Sequence, residues 1–208
     1  MLFRSLKGVK DIMDSLRETF DADIYFRSTP FTGFECCTFT TNGIDVKHSV
    51  TEIDDKARTD IVYSNNGVIV RAFRVKHDPV SPAYGYRVEY QGKSIMITGD
   101  TTYTQTLVRY GANADVIISE AWGWARTDGA GLYDYHCPPE SCLAPMFIAT
   151  TPKLAVLTHL SGPPPVDGVA NNIVNRTITS GYTGPLVAGV DLMTITVNNV
   201  GVPVVTTP

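Results

Sequence analysis

Three side chains that can bind a metal stand at the ends of segments rich in β-forming residues. His77 and His159 each close such a segment, and Asp100 directly follows another. Neutral imidazoles bind borderline-soft divalent ions, and a carboxylate can bridge two of them. Because ligands at strand ends are anchored in a sheet, the pattern predicts a transition-metal site formed by His77, Asp100 and His159.

The segments that would position these residues read as strands of one sheet. Residues 67–75, just before His77, are dense in β-formers, and residues 86–90 and 94–98 form a β-hairpin about Gln91-Gly92. Buried strands are predicted over 116–119 and 154–158. Shorter strands are expected over 34–41, 45–50 and 60–64, and two closing strands within 186–197.

Helical periodicity is clearest near the beginning of the chain. Apolar residues recur at helical spacing from Val9 to Phe20, which predicts an amphipathic helix with one face on a core. Further helices are expected over 139–149 and 166–177, and residues 122–138 are expected to form a loop. No linker or internal repeat interrupts the pattern, so the sequence predicts a single α/β domain over residues 1–208.

Composition narrows the classes of function. The 208 residues carry a net charge of −4, with 43% hydrophobic and 18% charged residues, as in an ordinary globular protein. There is no basic excess for a nucleic-acid partner and no apolar run of the roughly 18 residues that a bilayer requires. The first residues do not resemble a secretory signal, so a cytoplasmic protein without a membrane partner is expected.

Four cysteines occur as Cys36-Cys37 and as Cys137 and Cys142. Neither spacing is that of a structural zinc site. We expect all four to be buried free thiols, which suits a reducing compartment.

The sequence around the candidate ligands resembles the metallo-β-lactamase superfamily, and within it the ribonuclease Z and arylsulfatase-like branch. The resemblance is carried by a strand ending in His77, the run Pro82-Ala83-Tyr84-Gly85-Tyr86-Arg87, and an apolar strand ending in Gly99-Asp100-Thr101. The segments 115–120 and 157–160 match as well. The resemblance implies that the chain forms the C-terminal portion of an αββα sandwich.

The resemblance also implies roles for individual residues. His77 would bind the first of two metals, Asp100 would bridge both and act in catalysis, and His159 would bind the second. His136 matches a histidine that donates a proton to the leaving group, although the residues after it depart from the usual small hydroxyl residues. Glu120 is expected either to support His136 by a hydrogen bond or to be a solvated carboxylate at a strand end.

The superfamily's first motif, His-x-His-x-Asp-His, is absent from the sequence. The remaining histidine, His48, is expected on a surface strand. The chain is therefore expected to start inside the domain and to bind two metals weakly or not at all. A truncated gene product, a degenerate relative and a subunit completed by another chain would all explain this, and truncation is favoured because the remaining site residues are intact.

The intact protein is expected to be a hydrolase that uses a metal-bound hydroxide. The two divalent ions would be zinc, with manganese or iron as alternatives. The step of 23 positions from His77 to Asp100 leaves no room for the long arm of tRNA-processing relatives. We therefore expect a small phosphodiester, sulfate ester or related ester as substrate.

Several alternatives stay open. They are a tRNA 3′-processing endoribonuclease, which would make RNA a partner, a non-catalytic half-domain completed by a partner chain, and a sheet protein with coincidental polar strand ends. Homo-oligomer formation is also open.

Overall fold

A computed structural model describes residues 2–5, 8–22, 49–54, 60–123, 136–161, 168–198 and 203–207. The chain divides into two compact units, Met1–Arg58 and Thr59–Pro208. The predicted strand 34–41, the Cys36-Cys37 pair and His48 lie outside the described residues. The single domain over 1–208 stays a prediction.

The first unit contains the predicted helix and one parallel strand pair. Strand β1 (Leu2–Ser5) pairs with β2 (Ser49–Glu52), and helix α1 spans Val9–Thr19. The backbone N–H of Gly8 donates to Oε1 of Glu52 at 2.7 Å. No residue of α1 is buried, so the predicted helix is confirmed but its predicted burial on a core is wrong.

The second unit is built on a seven-stranded mixed sheet in the order β3-β4-β5-β6-β7-β8-β9. Its strands are β3 (Ile61–Asn65), β4 (Val68–His77), β5 (Val80–Tyr90), β6 (Lys93–Ile97), β7 (Val116–Trp122), β8 (Leu154–Ser161) and β9 (Leu186–Ala188). From β3 to β6 each strand pairs antiparallel with the next one. From β6 to β9 each strand pairs parallel with the next one. The predicted hairpin about Gln91-Gly92 is confirmed as β5 and β6.

Three helices and a second strand pair are the other elements in the described part of this unit. The helices are α2 (Gln105–Gly111), α3 (Ala144–Thr150), which follows a π-helical turn Pro139–Leu143, and α4 (Val169–Thr179). Strands β10 (Thr194–Thr196) and β11 (Val204–Thr206) pair antiparallel. The predicted helices over 139–149 and 166–177 are thus confirmed within a few residues.

The central strands bury both of their faces. Along β7, Ile117 packs into the core that also contains Leu107 of α2, Phe147 of α3 and Ile173 of α4. Its neighbour Val116 packs into a second cluster with residues of β10 and β11. Side chains alternate between the faces of a strand, which explains why β7 begins with three consecutive apolar residues, Val116–Ile118.

The strand directions bring four chain segments to one edge of the sheet. Strands β4 and β6 are each antiparallel to β5, so they run the same way, and β7 and β8 run parallel to β6. The residues that end β4, β6, β7 and β8 therefore lie along the same edge, where ligand sites form in such sheets. The mixed sheet and its helices confirm the predicted α/β fold class. Among the described residues, no helix is long and apolar enough to cross a bilayer.

Candidate metal centre

Asp100 is held beside His77 by hydrogen bonds between the ends of two strands. The N–H of Thr102 donates to the carbonyl oxygen of Lys76 at 2.9 Å, and the N–H of Lys76 donates to Oγ1 of Thr101 at 3.3 Å. These contacts fasten the loop after β6 to the end of β4. The result is a distance of 3.9 Å between Nε2 of His77 and Oδ2 of Asp100.

Gly99 makes this loop geometry accessible. Its φ of +63° lies in the left-handed region, and a Cβ at this position would stand 2.9 Å from the carbonyl oxygen of Tyr84. A residue with a side chain would meet both backbone strain and a clash with a backbone atom. The glycine before Asp100 is therefore required by the turn that places the carboxylate.

Glu120 and His136 form a buried hydrogen-bonded pair at the same edge. Nδ1 of His136 lies 3.0 Å from Oε2 of Glu120, and the residues are 7% and 2% exposed. The backbone N–H of Thr101 donates to Oε1 of Glu120 at 2.9 Å. Of the two alternatives for Glu120, the solvated carboxylate is wrong, and the hydrogen bond to His136 is present.

Burial shifts the pKa values of both partners toward their neutral forms. It raises the pKa of Glu120 to about 8, against the opposing effect of the Thr101 N–H. Burial also lowers the pKa of His136, and the nearby charge of Asp100 opposes that shift. Near pH 7 the pair is therefore a carboxylic acid beside a neutral imidazole, which leaves the second ring nitrogen, Nε2, as an N–H donor.

Aromatic rings fix the plane of the His136 imidazole. The indole of Trp122 stacks on it with ring centres 4.2 Å apart and planes 3° from parallel. The ring of His77 meets it edge-on at 5.4 Å between centres. His136 is thus held by a hydrogen bond in its plane and by ring contacts.

His77, Asp100 and His136 are close enough to serve one ion. One ligand atom from each lies within 4.8 Å of the other two. The 3.9 Å between His77 and Asp100 is less than the sum of two metal–ligand bonds of about 2.1 Å each. The donor set of two imidazoles and a carboxylate fits a divalent transition metal.

His159 lies at the outer side of this group. It is exposed within β8, has a φ of +49°, and its ring centre is 6.1 Å from that of His136. The structure therefore brings His77, Asp100 and His136 together. His159 is not part of that group and, among the described residues, approaches it only through its ring contact with His136. The roles assigned to all four residues stay predictions.

Two features of the site were missed from the sequence. Sequence reasoning treated His136 as a proton donor only and did not include it among the candidate ligands, and it gave Trp122 no role. Glu120 and Trp122 are two positions apart, which is the spacing of one strand face. From that spacing the sequence could have predicted that the Trp122 ring lies on the same strand face as the Glu120 carboxyl group.

The prediction of free thiols is wrong for Cys137 and Cys142, because they form a disulfide with a Cα–Cα distance of 4.9 Å. Both residues are fully buried, as expected. A helical turn starting at Pro139 brings residues five positions apart within bonding distance. This pair therefore gives no support to a reducing compartment.

Comparison with known proteins places these observations in a family. Residues 13–160 match the family model described as the beta-lactamase superfamily domain. Over 67 residues the chain is 37% identical to ribonuclease Z of Mycolicibacterium paratuberculosis, covering 32% of this chain and 24% of that protein. The chain thus matches about a quarter of the length of such curated relatives.

Two solved structures share the fold. The metallo-beta-lactamase fold protein YhfI from Bacillus subtilis superposes with a TM-score of 0.55 at 20% identity, covering 78% of this chain and 58% of that one. The short form of human tRNase Z gives a TM-score of 0.50 at 20% identity, covering 76% and 60%. At this identity the similarity shows the fold alone.

Proposed function

This chain belongs to the β-lactamase superfamily, and we propose that it acts as a metal-dependent hydrolase of a small phosphodiester, sulfate ester or related ester. One observation carries the proposal: His77, Asp100 and His136 converge at the sheet edge, and His136 is bonded there to a buried carboxyl group. A ligand group next to a proton donor is what ester hydrolysis requires.

His77, Asp100 and His159 would hold the metal, and His136 would stay outside the ligand set so that its Nε2 keeps a proton. Zinc suits this donor set best, and manganese or iron are the alternatives. When bound, such ions supply Lewis-acid chemistry and make a water molecule more acidic.

His136 would protonate the leaving oxygen from Nε2. As that proton departs, Nδ1 accepts the carboxyl proton of Glu120 across the 3.0 Å hydrogen bond. The imidazole then stays neutral throughout, and Glu120 becomes a carboxylate that accepts the Thr101 N–H. Burial keeps this carboxyl group protonated near neutral pH, so it is ready to supply the proton.

The preference for a small substrate rests on the chain between His77 and Asp100. Strands β5 and β6 occupy Val80–Tyr90 and Lys93–Ile97 and leave only tight connections. The net charge of −4 also disfavours a polyanion.

A tRNA 3′-processing endoribonuclease is the second candidate. It is favoured by the matches to proteins named ribonuclease Z. A small phosphodiester and a precursor tRNA contain the same kind of bond, so the site would serve either. A non-catalytic half-domain completed by a partner chain is the alternative from another class.

Hydrolysis assays with excess zinc or manganese separate these functions. We expect turnover of bis(p-nitrophenyl) phosphate that chelation abolishes, and none with Asp100→Asn. Cleavage of precursor tRNA at its 3′ end without turnover of the small ester would instead support the endoribonuclease. Equal, background-level rates for the native chain and Asp100→Asn on every substrate would overturn the hydrolase proposal for this chain.

Metal analysis after dialysis gives an independent measure. The ligands named above leave each of two ions with few protein donors, so we expect clearly fewer than two equivalents of zinc per chain. Two equivalents retained after dialysis would contradict the expected weakness of the site.

A further inference from the structure

A single arginine contacts the chain on both sides of the segment that carries His136. The guanidinium of Arg176, in α4, donates from one terminal nitrogen to the carbonyl oxygen of Gly123. Its Nε and its other terminal nitrogen donate to the carboxylate of Glu140 at 2.6 and 2.8 Å. Gly123 follows the end of β7, and Glu140 is the second residue of the helical turn after His136.

These contacts use the full geometry of a guanidinium. A fork-like pair of bonds to a carboxylate and a third bond to a carbonyl need several donors in one plane, which a lysine cannot supply. The side chain of Arg176 is only 22% exposed. The pKa of Glu140 lies below its usual range because of its hydrogen bonds from Arg176, which marks the pair as ionised at neutral pH.

The two anchored points lie close to the contacts that hold His136. The N–H of Trp122, next to Gly123, donates to the carbonyl oxygen of Cys137 at 3.2 Å. The indole of Trp122 stacks on the His136 ring. If Gly123 and Glu140 separated, the strand end and the loop would lose the alignment on which both contacts depend.

We propose that Arg176 is a positioning residue that joins Gly123 to Glu140 and thereby keeps His136 stacked on Trp122 and bonded to Glu120. Arg176 does not touch the site itself. The expected effect on catalysis rests on the proposed function, because it assumes that His136 donates a proton. The expected effect on the alignment of Trp122 and His136 is independent of that function.

The test compares Arg176→Ala with Lys153→Ala. Lys153 makes an ion pair of 2.7 Å with Asp115 in the same unit, and among the described residues neither is hydrogen-bonded to residues 136–140. The control therefore removes a similar interaction elsewhere. Amide hydrogen exchange is followed at Trp122, and at Ile117 and Val156 in the central strands as a reference.

For Arg176→Ala we expect exchange at Trp122 to accelerate at least about tenfold while the two reference amides change little, since hydrogen bonds to charged groups are among the stronger ones and their loss here is local. In Lys153→Ala, Trp122 should exchange as in the native chain. Arg176→Lys should fall between the native chain and Arg176→Ala. Hydrolysis by Arg176→Ala should show a lower kcat with little change in KM.

Uniform acceleration at all three amides would overturn the proposal, because Arg176 would then serve only general stability. Unchanged exchange at Trp122 would overturn it as well. Faster exchange at Trp122 with unchanged kcat would support the positioning role and count against His136 as proton donor. If Arg176→Ala does not fold, Glu140→Gln is judged by the same exchange pattern, with a smaller rise expected at Trp122.

Discussion

Oε2 of Glu120 lies 3.0 Å from Nδ1 of His136, and both residues are buried beside the carboxylate of Asp100. A buried charge is costly, so the pair is most stable when neither partner is ionised. The hydrogen bond also determines which nitrogen of His136 faces the candidate metal group. One contact thus joins the stability of the fold to the protonation of the site.

Glu120 should make the protein less stable as the pH rises toward 8. Its pKa is about 8 in the folded state against 4.5 for an ordinary glutamate, so the folded state holds this proton more tightly than the unfolded state does. The stabilisation is complete below pH 4.5 and is lost as the pH rises through 8, amounting to a few kcal/mol, at about 1.4 kcal/mol for each unit of pKa. Urea unfolding at several pH values measures it.

Glu120→Gln should remove this dependence, because an amide does not ionise. The effect of Glu120 on the free energy of unfolding is clearest between pH 6.5 and 8. Below that range His136, whose pKa is lowered in the folded state, makes the protein more stable as the pH rises and so opposes the effect of Glu120. Glu18→Gln, at an exposed position of α1, is the matched control and should unfold like the native chain. If the free energy of unfolding of Glu120→Gln fell with pH as steeply as that of the native chain, the effect could not be assigned to Glu120.

Asp100→Asn should weaken metal binding and hydrolysis together. The amide keeps the shape of the carboxylate but loses the charge that faces His77. Replacing groups that only support a ligand costs about 10- to 100-fold, so we expect a loss of at least about 100-fold here. Zinc titration by calorimetry and the phosphodiester assay measure the two effects.

Asp191→Asn provides the control for the loss of one negative charge, because Asp191 lies exposed in a turn. It should bind zinc like the native chain. Equal zinc affinity in both variants would remove Asp100 from the metal site.

Gly99→Ala should be far more destabilising than Gly92→Ala. Both glycines have a positive φ, +63° and +74°, so each alanine costs about 1 kcal/mol in backbone strain. Only at Gly99 would the new Cβ also meet the carbonyl oxygen of Tyr84, which should add about 1–3 kcal/mol. Equal shifts in the urea midpoint would show that the close approach at Gly99 is relieved without cost.

Cys137 and Cys142 should be recovered as a linked pair when the protein is purified without reductant. Peptide mapping after alkylation should find neither thiol modified. Cys142→Ser should lower the free energy of unfolding by about 2 kcal/mol, the value expected for closing so short a loop. Complete alkylation of both residues in the unfolded, unreduced protein would refute the disulfide.

The strands and helices could be predicted from the sequence because each is marked locally. Alternating polar residues about Gln91-Gly92 marked the hairpin, and helical spacing marked α1. The grouping of His77 with Asp100 followed from strand order. By contrast, the stacking of Trp122 on His136 depends on where a long connection returns to the sheet, which local pattern does not record.

The disulfide and the Arg176 contacts were beyond prediction for a related reason. Free and bonded cysteines have the same sequence pattern at this spacing, and only the turn at Pro139 brings the two sulfurs together. Arg176 lies 36 positions from Glu140, and no periodicity links them. Such contacts are set by tertiary packing.

The turns Asn66-Gly67 and Gln91-Gly92 lie at the end of the sheet opposite His77 and Asp100, because β4 starts where β5 ends. Residues grafted into either turn would extend away from the candidate site. An affinity tag or fluorescent reporter could be inserted there without obstructing substrate entry, which makes these two turns the natural attachment points for biochemical work on this protein.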